Sequence, residues 1–385
     1  MSFIEAELAD LDRRGLYRTL RRVDGEQDAT LFLNGQEVIN FSSNNYLGLA
    51  NHPALREAAK AAIDRYGCGS GASRLICGNM ALHEELENRI AKLKGTEAAL
   101  VFNSGFQANS GVIATLVGQG DMVFSDELNH ASLIDGCRLS RAKIAVYAHG
   151  DLDHLERLLK DAPRSGRKLI VTESLFSMDG DEAPLDGSVL LAEKYGAMTM
   201  VDEAHATGVF GPRGAGLVAQ GGLGDRVTVQ MGTLGKALGG FGAYIAGSRS
   251  LRELLINRCR SFIYTTSLPP AVMAMGIAAI DIVEKDMEKR RQLRANCATL
   301  RAGLQEAGYF LAKSRSQIMP LIVGDEARCM TLSRQLLEQG VFVQGIRPPT
   351  VPPGTSRLRL TVMATHTQRQ LDEALRVFKE VRSGL

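Results

Sequence analysis

Three short segments carry residues whose types and spacing could do chemistry together. In QMGTLGKALGGFGAY (230–244), Lys236 sits among glycines and small apolar residues just after a run with strand character. Desolvation in such a turn lowers a lysine pKa and makes the amine a nucleophile. Thr233, three residues earlier, can donate a hydrogen bond to a phosphate. In MVDEAHATGVFG (200–211), Asp202 closes a buried run and His205 follows three residues on. A carboxylate there needs a partner, because burying it alone is costly. A protonated ring nitrogen would serve, and so would the N–H groups of a segment that the Asp caps. In VFNSGFQAN (101–109) a strand ends, Ser104-Gly105 turns the chain and a helix begins. Free N–H groups and the positive end of the helix dipole suit a phosphate there, although an ordinary strand-to-helix turn reads the same way.

All three segments lie at the ends of expected strands, where open α/β sheets bind their ligands. A lysine for an aldehyde carbon, a carboxylate that keeps a pyridinium protonated and a helix end for a phosphate are what pyridoxal 5′-phosphate requires. Competing motifs fall away. Gly67, Gly69 and Ala72 fit a dinucleotide fingerprint on paper but follow a helix, not a strand. Gly235-Lys236 lacks the upstream glycine and following Ser/Thr of a P-loop, and there is no G-x-S-x-G elbow. His149 and His154 flank a turn, so no metal site is expected.

The elements that must hold these residues follow from periodicity. Apolar runs at 98–102, 122–124, 143–147, 168–174, 197–203, 226–234 and 242–247 alternate with helical stretches. Such runs predict an α/β large domain with a mostly parallel sheet covered by helices on both faces. Ahead of it, 1–22 reads as a polar helix, 31–41 as a hairpin turning at Asn34-Gly35, and 52–66 and 82–94 as helices. A helix over 268–285 leads into a smaller C-terminal α+β domain with helices near 285–307 and 326–339 and strands near 318–323, 341–346 and 357–362. The expected boundaries are an N-terminal segment 1–45, a large domain 46–270 and a small domain 271–385. The mixed-sign run EKDMEKRRQLR (284–294) reads as a solvated helix face.

Composition bounds the function classes. The 385 residues are 45% hydrophobic and 23% charged, which excludes a disordered or fibrous chain. A formal net charge of +2 argues against nucleic-acid binding. No apolar stretch suffices to span a bilayer, and the acidic opening MSFIEAELADLDRRG does not read as a secretory signal. Six scattered cysteines without a C-x-x-C pair read as single buried thiols in a reducing cytoplasm.

Over nearly its whole length the chain resembles the α-oxoamine synthases, a group of fold-type-I pyridoxal-phosphate transferases. The resemblance rests on FSSNNYLGL (41–49), GSGASRLICG (69–78), NSGFQAN (103–109), DELNHASLIDG (126–136), ESLFSMDGD (173–181), VDEAHATGVFG (201–211), GTLGKALGG (232–240) and YTTSLPP (264–270). It implies that Lys236 forms the covalent link to the cofactor and later moves the substrate α-proton. Asp202 would pair with the ring nitrogen, His205 and Ser177 would contact the ring's oxygen side, and His130 would stack on the ring and orient the thioester. Gly105 and Phe106 would place the cofactor, Thr233 would bind its phosphate, and Thr266 would reach the phosphate from a neighbouring subunit of a homodimer. Arg359 would hold the amino-acid carboxylate, a bidentate task suited to a guanidinium, and Asn44 would line the same pocket.

The implied reaction is a decarboxylative condensation of an amino acid with an acyl thioester. The segment IRPPTVPPGTSRLRLT (346–361), with Arg347 and Thr350, most resembles members that join L-alanine to a pimeloyl thioester in biotin synthesis. Arg18 matches a position proposed to meet the distal end of that acyl chain, and reads equally as a solvated helix arginine. The alternatives are a glycine C-acetyltransferase and a catalytically silent partner subunit. The latter typically lacks the lysine that stands here at 236. Asn45 and Glu203 depart from residues common in the group and do not fix the substrate.

Overall fold

The computed structural model describes residues 2–383. Its centre is a seven-stranded sheet whose order, edge to edge, is Ala98–Phe102, Ala243–Gly247, Val229–Thr233, Met198–Asp202, Lys168–Glu173, Met122–Asp126 and Lys143–Tyr147. The last five are mutually parallel, and Ala243–Gly247 runs antiparallel to both its neighbours. This is the mostly parallel sheet that the run pattern predicts, in the fold-type-I architecture that the resemblance implies. The strands are uniformly apolar because both faces are covered.

Alternation along the strands assigns side chains to the two faces. Leu100, Phe102, Met200 and Ile245 join one core with Val112 and Ile113 of the helix Gly105–Leu116. Val101, Val201, Tyr244 and Ala246 join the other with Leu86 and Ile90 of the helix Ala81–Lys94 and with Ile280 of the helix Pro270–Lys285. That last helix opens on Pro270, where a missing N–H costs nothing, and packs on the helices Pro53–Tyr66 and Ala81–Lys94.

The small domain is built on an antiparallel sheet ordered Ile318–Gly324, Ser356–Thr361, Gln344–Ile346. The hairpin Thr30–Leu33/Gln36–Asn40 turns at Asn34 (φ 52°) and Gly35 (φ 84°). A two-residue turn with both φ positive matches the strand twist, which is why Asn-Gly is used there. Its second strand pairs in parallel with Val341–Phe342, so the N-terminal segment is stitched to the C-terminal part of the chain.

Three expectations are corrected. The first helix spans Phe3–Arg13 and not 1–22; it opens on a Ser2/Glu5 capping box and is followed by Gly15 at φ 63°, which breaks the helical path. Cys68 and Cys77 are exposed, because they fall in the loop after the helix Pro53–Tyr66, while the other four thiols are buried. In the charged run, Arg290 is buried and donates to the Val283 carbonyl (2.5 Å), capping the end of the preceding helix.

Candidate active site

The C-terminal ends of the parallel strands converge on one pocket. Asp202 ends its strand directly beside Glu173, its registered neighbour on one side, and Met231 on the other. Asp202 shares the sheet face of Met200. One of its oxygens there accepts from Asn109 Nδ2 (2.8 Å) and the other from the Ala204 N–H (2.8 Å). Both bonds orient the carboxylate without neutralising it, and neither involves a lysine.

Lys236 is half-buried, in the turn after the strand Val229–Thr233. Its Nζ lies 2.8 Å from His205 Nε2. Desolvation pushes its pKa down to about 8; Asp202 and Glu173 act against that shift and Arg359 adds to it. The amine is therefore partly neutral near physiological pH, as a nucleophile must be. His205 is buried, and its pKa is lowered well below the usual value by burial and then by the charges of Lys236 and Arg359, so its ring is neutral. The main-chain carbonyl of His205 accepts from Gln317 Nε2 (2.8 Å), and its Nδ1 lies 2.6 Å from the Tyr46 hydroxyl.

His130 presents an exposed ring at the mouth of the pocket. Its Nδ1 meets Ser132 Oγ (2.8 Å), and its pKa is lowered by desolvation and by Lys236, with Asp202 opposing. The loop that carries it is held by a residue that sequence reading did not single out. Buried Glu173 accepts the His130 N–H with one oxygen (2.7 Å) and the Ser177 N–H with the other (3.1 Å). Burial, and then the nearby Asp202, push Glu173 up to about 8. Ser177 is buried and its carbonyl accepts from Arg359 Nε (2.6 Å). Both Nη atoms of Arg359 lie 3.4 Å from Asn44 Oδ1, so these two expected pocket residues stand side by side.

Ser104 Oγ caps the helix Gly105–Leu116 by accepting the Gln107 N–H, leaving the first-turn N–H groups of Gly105 and Phe106 for a ligand. A Cβ at Gly105 would come 2.9 Å from Met231 Cε, so a larger residue here would make the flexible Met231 side chain shift. The Phe106 ring is exposed. Thr233 Oγ1 donates to the Gly242 carbonyl (2.9 Å) and accepts the Gly235 N–H (3.1 Å). Its hydroxyl proton is thus engaged in stapling the glycine turn, and must rotate to reach a phosphate. Thr266 is exposed, and its carbonyl accepts from Asn103 Nδ2 (2.8 Å). A dry-walled amine facing an oriented carboxylate, with a helix N-terminus alongside, fits pyridoxal phosphate.

Arg18 and Thr350 are exposed and stand apart from this cluster, but they line one groove together with Arg21, Arg347 and Gln344. Gln344 is the registered neighbour of Arg359, so the groove adjoins the carboxylate-binding strand. Among the described residues no acidic side chain lines it. Besides Glu173, sequence reading missed Asn109, Gln317 and the role of Tyr46. Asn109 and Tyr46 lay inside quoted motifs, and Gln317 carried no local signal.

Comparison with known proteins agrees with this geometry. Residues 36–378 match the family model for aminotransferase class I and II. An 8-amino-7-oxononanoate synthase from Geobacter sulfurreducens is 56% identical over 384 residues, covering 99% of this chain and 98% of that protein. One from Geotalea daltonii is 54% identical, covering 97% and 96%. A solved serine palmitoyltransferase from S. paucimobilis with a bound PLP–myriocin aldimine superposes with TM-score 0.94 at 32% identity, covering 100% of this chain and 97% of that one.

Proposed function

Because the chain belongs to the aminotransferase class I and II family, we propose that it condenses L-alanine with a pimeloyl thioester, releasing carbon dioxide and the free thiol carrier, as an 8-amino-7-oxononanoate synthase. Its cofactor is pyridoxal 5′-phosphate, which when bound supplies the electron sink for breaking a bond at the amino-acid α-carbon. The observation that carries the reading is the Lys236 amine, its pKa lowered to about 8, 2.8 Å from His205 and near an Asp202 carboxylate that no cation among the described residues contacts directly.

The residues divide the work. Lys236 holds the cofactor covalently and, once freed, has the basicity to take and return the α-proton. Asp202, fixed by Asn109 and the Ala204 N–H, keeps a proton on the ring nitrogen. His205 and Ser177 contact the oxygen side of the ring, and His130 covers its face and orients the thioester. Gly105 and Phe106 place the cofactor, and the phosphate is held by the helix start, by Thr233 after its hydroxyl turns, and by Thr266 from the second subunit of a homodimer. Arg359 and Asn44 fix the alanine carboxylate, which sets the α-C–H for cleavage. The acid-free groove of Arg18, Arg347 and Thr350 receives the distal carboxylate of the acyl chain. No helix among the described residues is long and apolar enough to cross a membrane.

The test pairs alanine, glycine and serine with pimeloyl, acetyl and long-chain acyl thioesters. Thiol release is expected to be fastest with L-alanine and the pimeloyl thioester. Equal or faster turnover with glycine and acetyl-CoA would make the protein a glycine C-acetyltransferase instead.

A further inference from the structure

We propose that Tyr46 is a positioning residue whose hydroxyl proton, donated to His205 Nδ1, locks His205 in the neutral tautomer that carries its hydrogen on Nε2. The inference rests on the reading of Lys236 and His205 as cofactor contacts, but not on the identity of the acyl substrate.

The geometry is a chain of contacts through the pocket wall. Tyr46 is fully buried. Its hydroxyl lies 2.6 Å from His205 Nδ1 and 3.1 Å from Asn44 Oδ1, and His205 Nε2 lies 2.8 Å from Lys236 Nζ. A phenol has one proton to give. Asn44 Oδ1 already faces both Nη atoms of Arg359, whereas His205 Nδ1 has no other hydrogen-bond partner among the described residues, and the shorter contact is to the imidazole. Burial pushes the Tyr46 pKa up to about 12, which keeps that proton in place. A neutral imidazole with Nδ1 accepting must carry its hydrogen on Nε2. His205 is then a donor toward the site: to the Lys236 amine in its neutral form before loading, and toward the oxygen side of the cofactor ring when the cofactor is bound. Because the phenol and the Arg359 guanidinium both meet Asn44 Oδ1, the arginine that binds the amino-acid carboxylate and the histidine that meets the ring are joined through Tyr46 and Asn44.

The test is nitrogen NMR on protein labelled with ¹⁵N-histidine, in the holoenzyme and after cofactor removal, with His205 assigned by its loss in His205→Asn. Wild type is expected to show a pyrrole-type Nε2 and a pyridine-type Nδ1 in the holoenzyme, and in the cofactor-free protein above about pH 8, where the Lys236 amine is neutral. Tyr46→Phe should populate the opposite tautomer and lower kcat about tenfold, roughly one hydrogen bond's worth, with KM for alanine changed less than kcat. A wild-type spectrum with the hydrogen on Nδ1 would overturn the proposal without any variant, and so would an unchanged tautomer in a folded Tyr46→Phe. A wild type inert toward alanine and the pimeloyl thioester, but with the expected spectrum, would sink the substrate assignment and leave this inference standing.

Discussion

Two lysines meet the same strand end and come to opposite fates. Asp202 and Glu203 are consecutive; the first faces the pocket that holds Lys236, and the second turns to the other side, toward Lys94 at the end of the helix Ala81–Lys94. Lys94 is 2% exposed, pairs directly with the Glu203 carboxylate and donates to the Ala215 carbonyl (2.5 Å), while the second Glu203 oxygen accepts the Val218 N–H (2.9 Å). Burial works to discharge it, but Glu203 outweighs burial and its pKa is raised. Lys236 is less enclosed yet falls to about 8, because its close partner is a neutral imidazole and its carboxylates act only from a distance. Burial alone therefore does not make a reactive lysine. Withholding direct carboxylate contact matters as well: the Asp202 oxygens accept from Asn109 and the Ala204 N–H, and the close partner of Lys236 is His205. Lys94 ties the strand end to a helix and to the loop of residues 203–218, and Lys236 is left free for chemistry.

The contrast can be broken at either end. Lys236→Ala should cut condensation by roughly 10³-fold with little change in thermal midpoint, measured by thiol release and calorimetry. Lys94→Met should do the reverse: it strands the Glu203 charge in the core, costing about 3–5 kcal/mol in urea unfolding, with activity per folded molecule largely kept. Adding Glu203→Leu to Lys94→Met should recover most of that loss, since removing both charges is far cheaper than removing one. A Lys94→Met protein as stable as wild type would remove the distinction between the two sites.

Glu173 sharpens the same lesson with backbone partners. Its two oxygens accept from His130 and Ser177, and a glutamine supplies only one acceptor while turning an N–H toward an N–H. Glu173→Gln should cost about 1–3 kcal/mol and lower kcat by misplacing both loops, read by urea melts and steady-state kinetics. The smallest effect is at His149, bonded to Asp126 (3.0 Å) and Asp181 (2.9 Å), where burial is outweighed by the two carboxylates and the pKa rises to about 10. A raised histidine pKa means that the folded state binds the extra proton. The pair's contribution is complete below about pH 6.5 and fades as pH climbs toward 10. The stability gap between wild type and His149→Gln should shrink across that window; a gap that widened would contradict it.

Much of this was legible from residue types and order. The apolar runs marked the strands, Asn34-Gly35 marked the hairpin, and Lys236, Asp202 and Gly105 stood at strand ends with the chemistry their types allow. What stayed hidden depends on partners far along the chain. Glu173 reads as the tail of a strand because its ligands are main-chain N–H groups, which no residue type encodes. Tyr46 sat in a quoted motif without a role because its imidazole partner lies 159 residues away. The Lys94–Glu203 pair spans 109 residues, so neither side chain announces the other. Gly15 was the local signal that should have shortened the first helix, and Arg290 shows that a charged run can still send one guanidinium inward to cap a neighbour.

The most direct test is borohydride reduction of the yellow holoprotein followed by peptide mass mapping. The account predicts one pyridoxyl group, on the peptide containing Lys236, with its absorbance lost on reduction and none retained by Lys236→Ala. A pyridoxyl group on Lys94 or any other lysine, or a reducible adduct that survives Lys236→Ala, would contradict it.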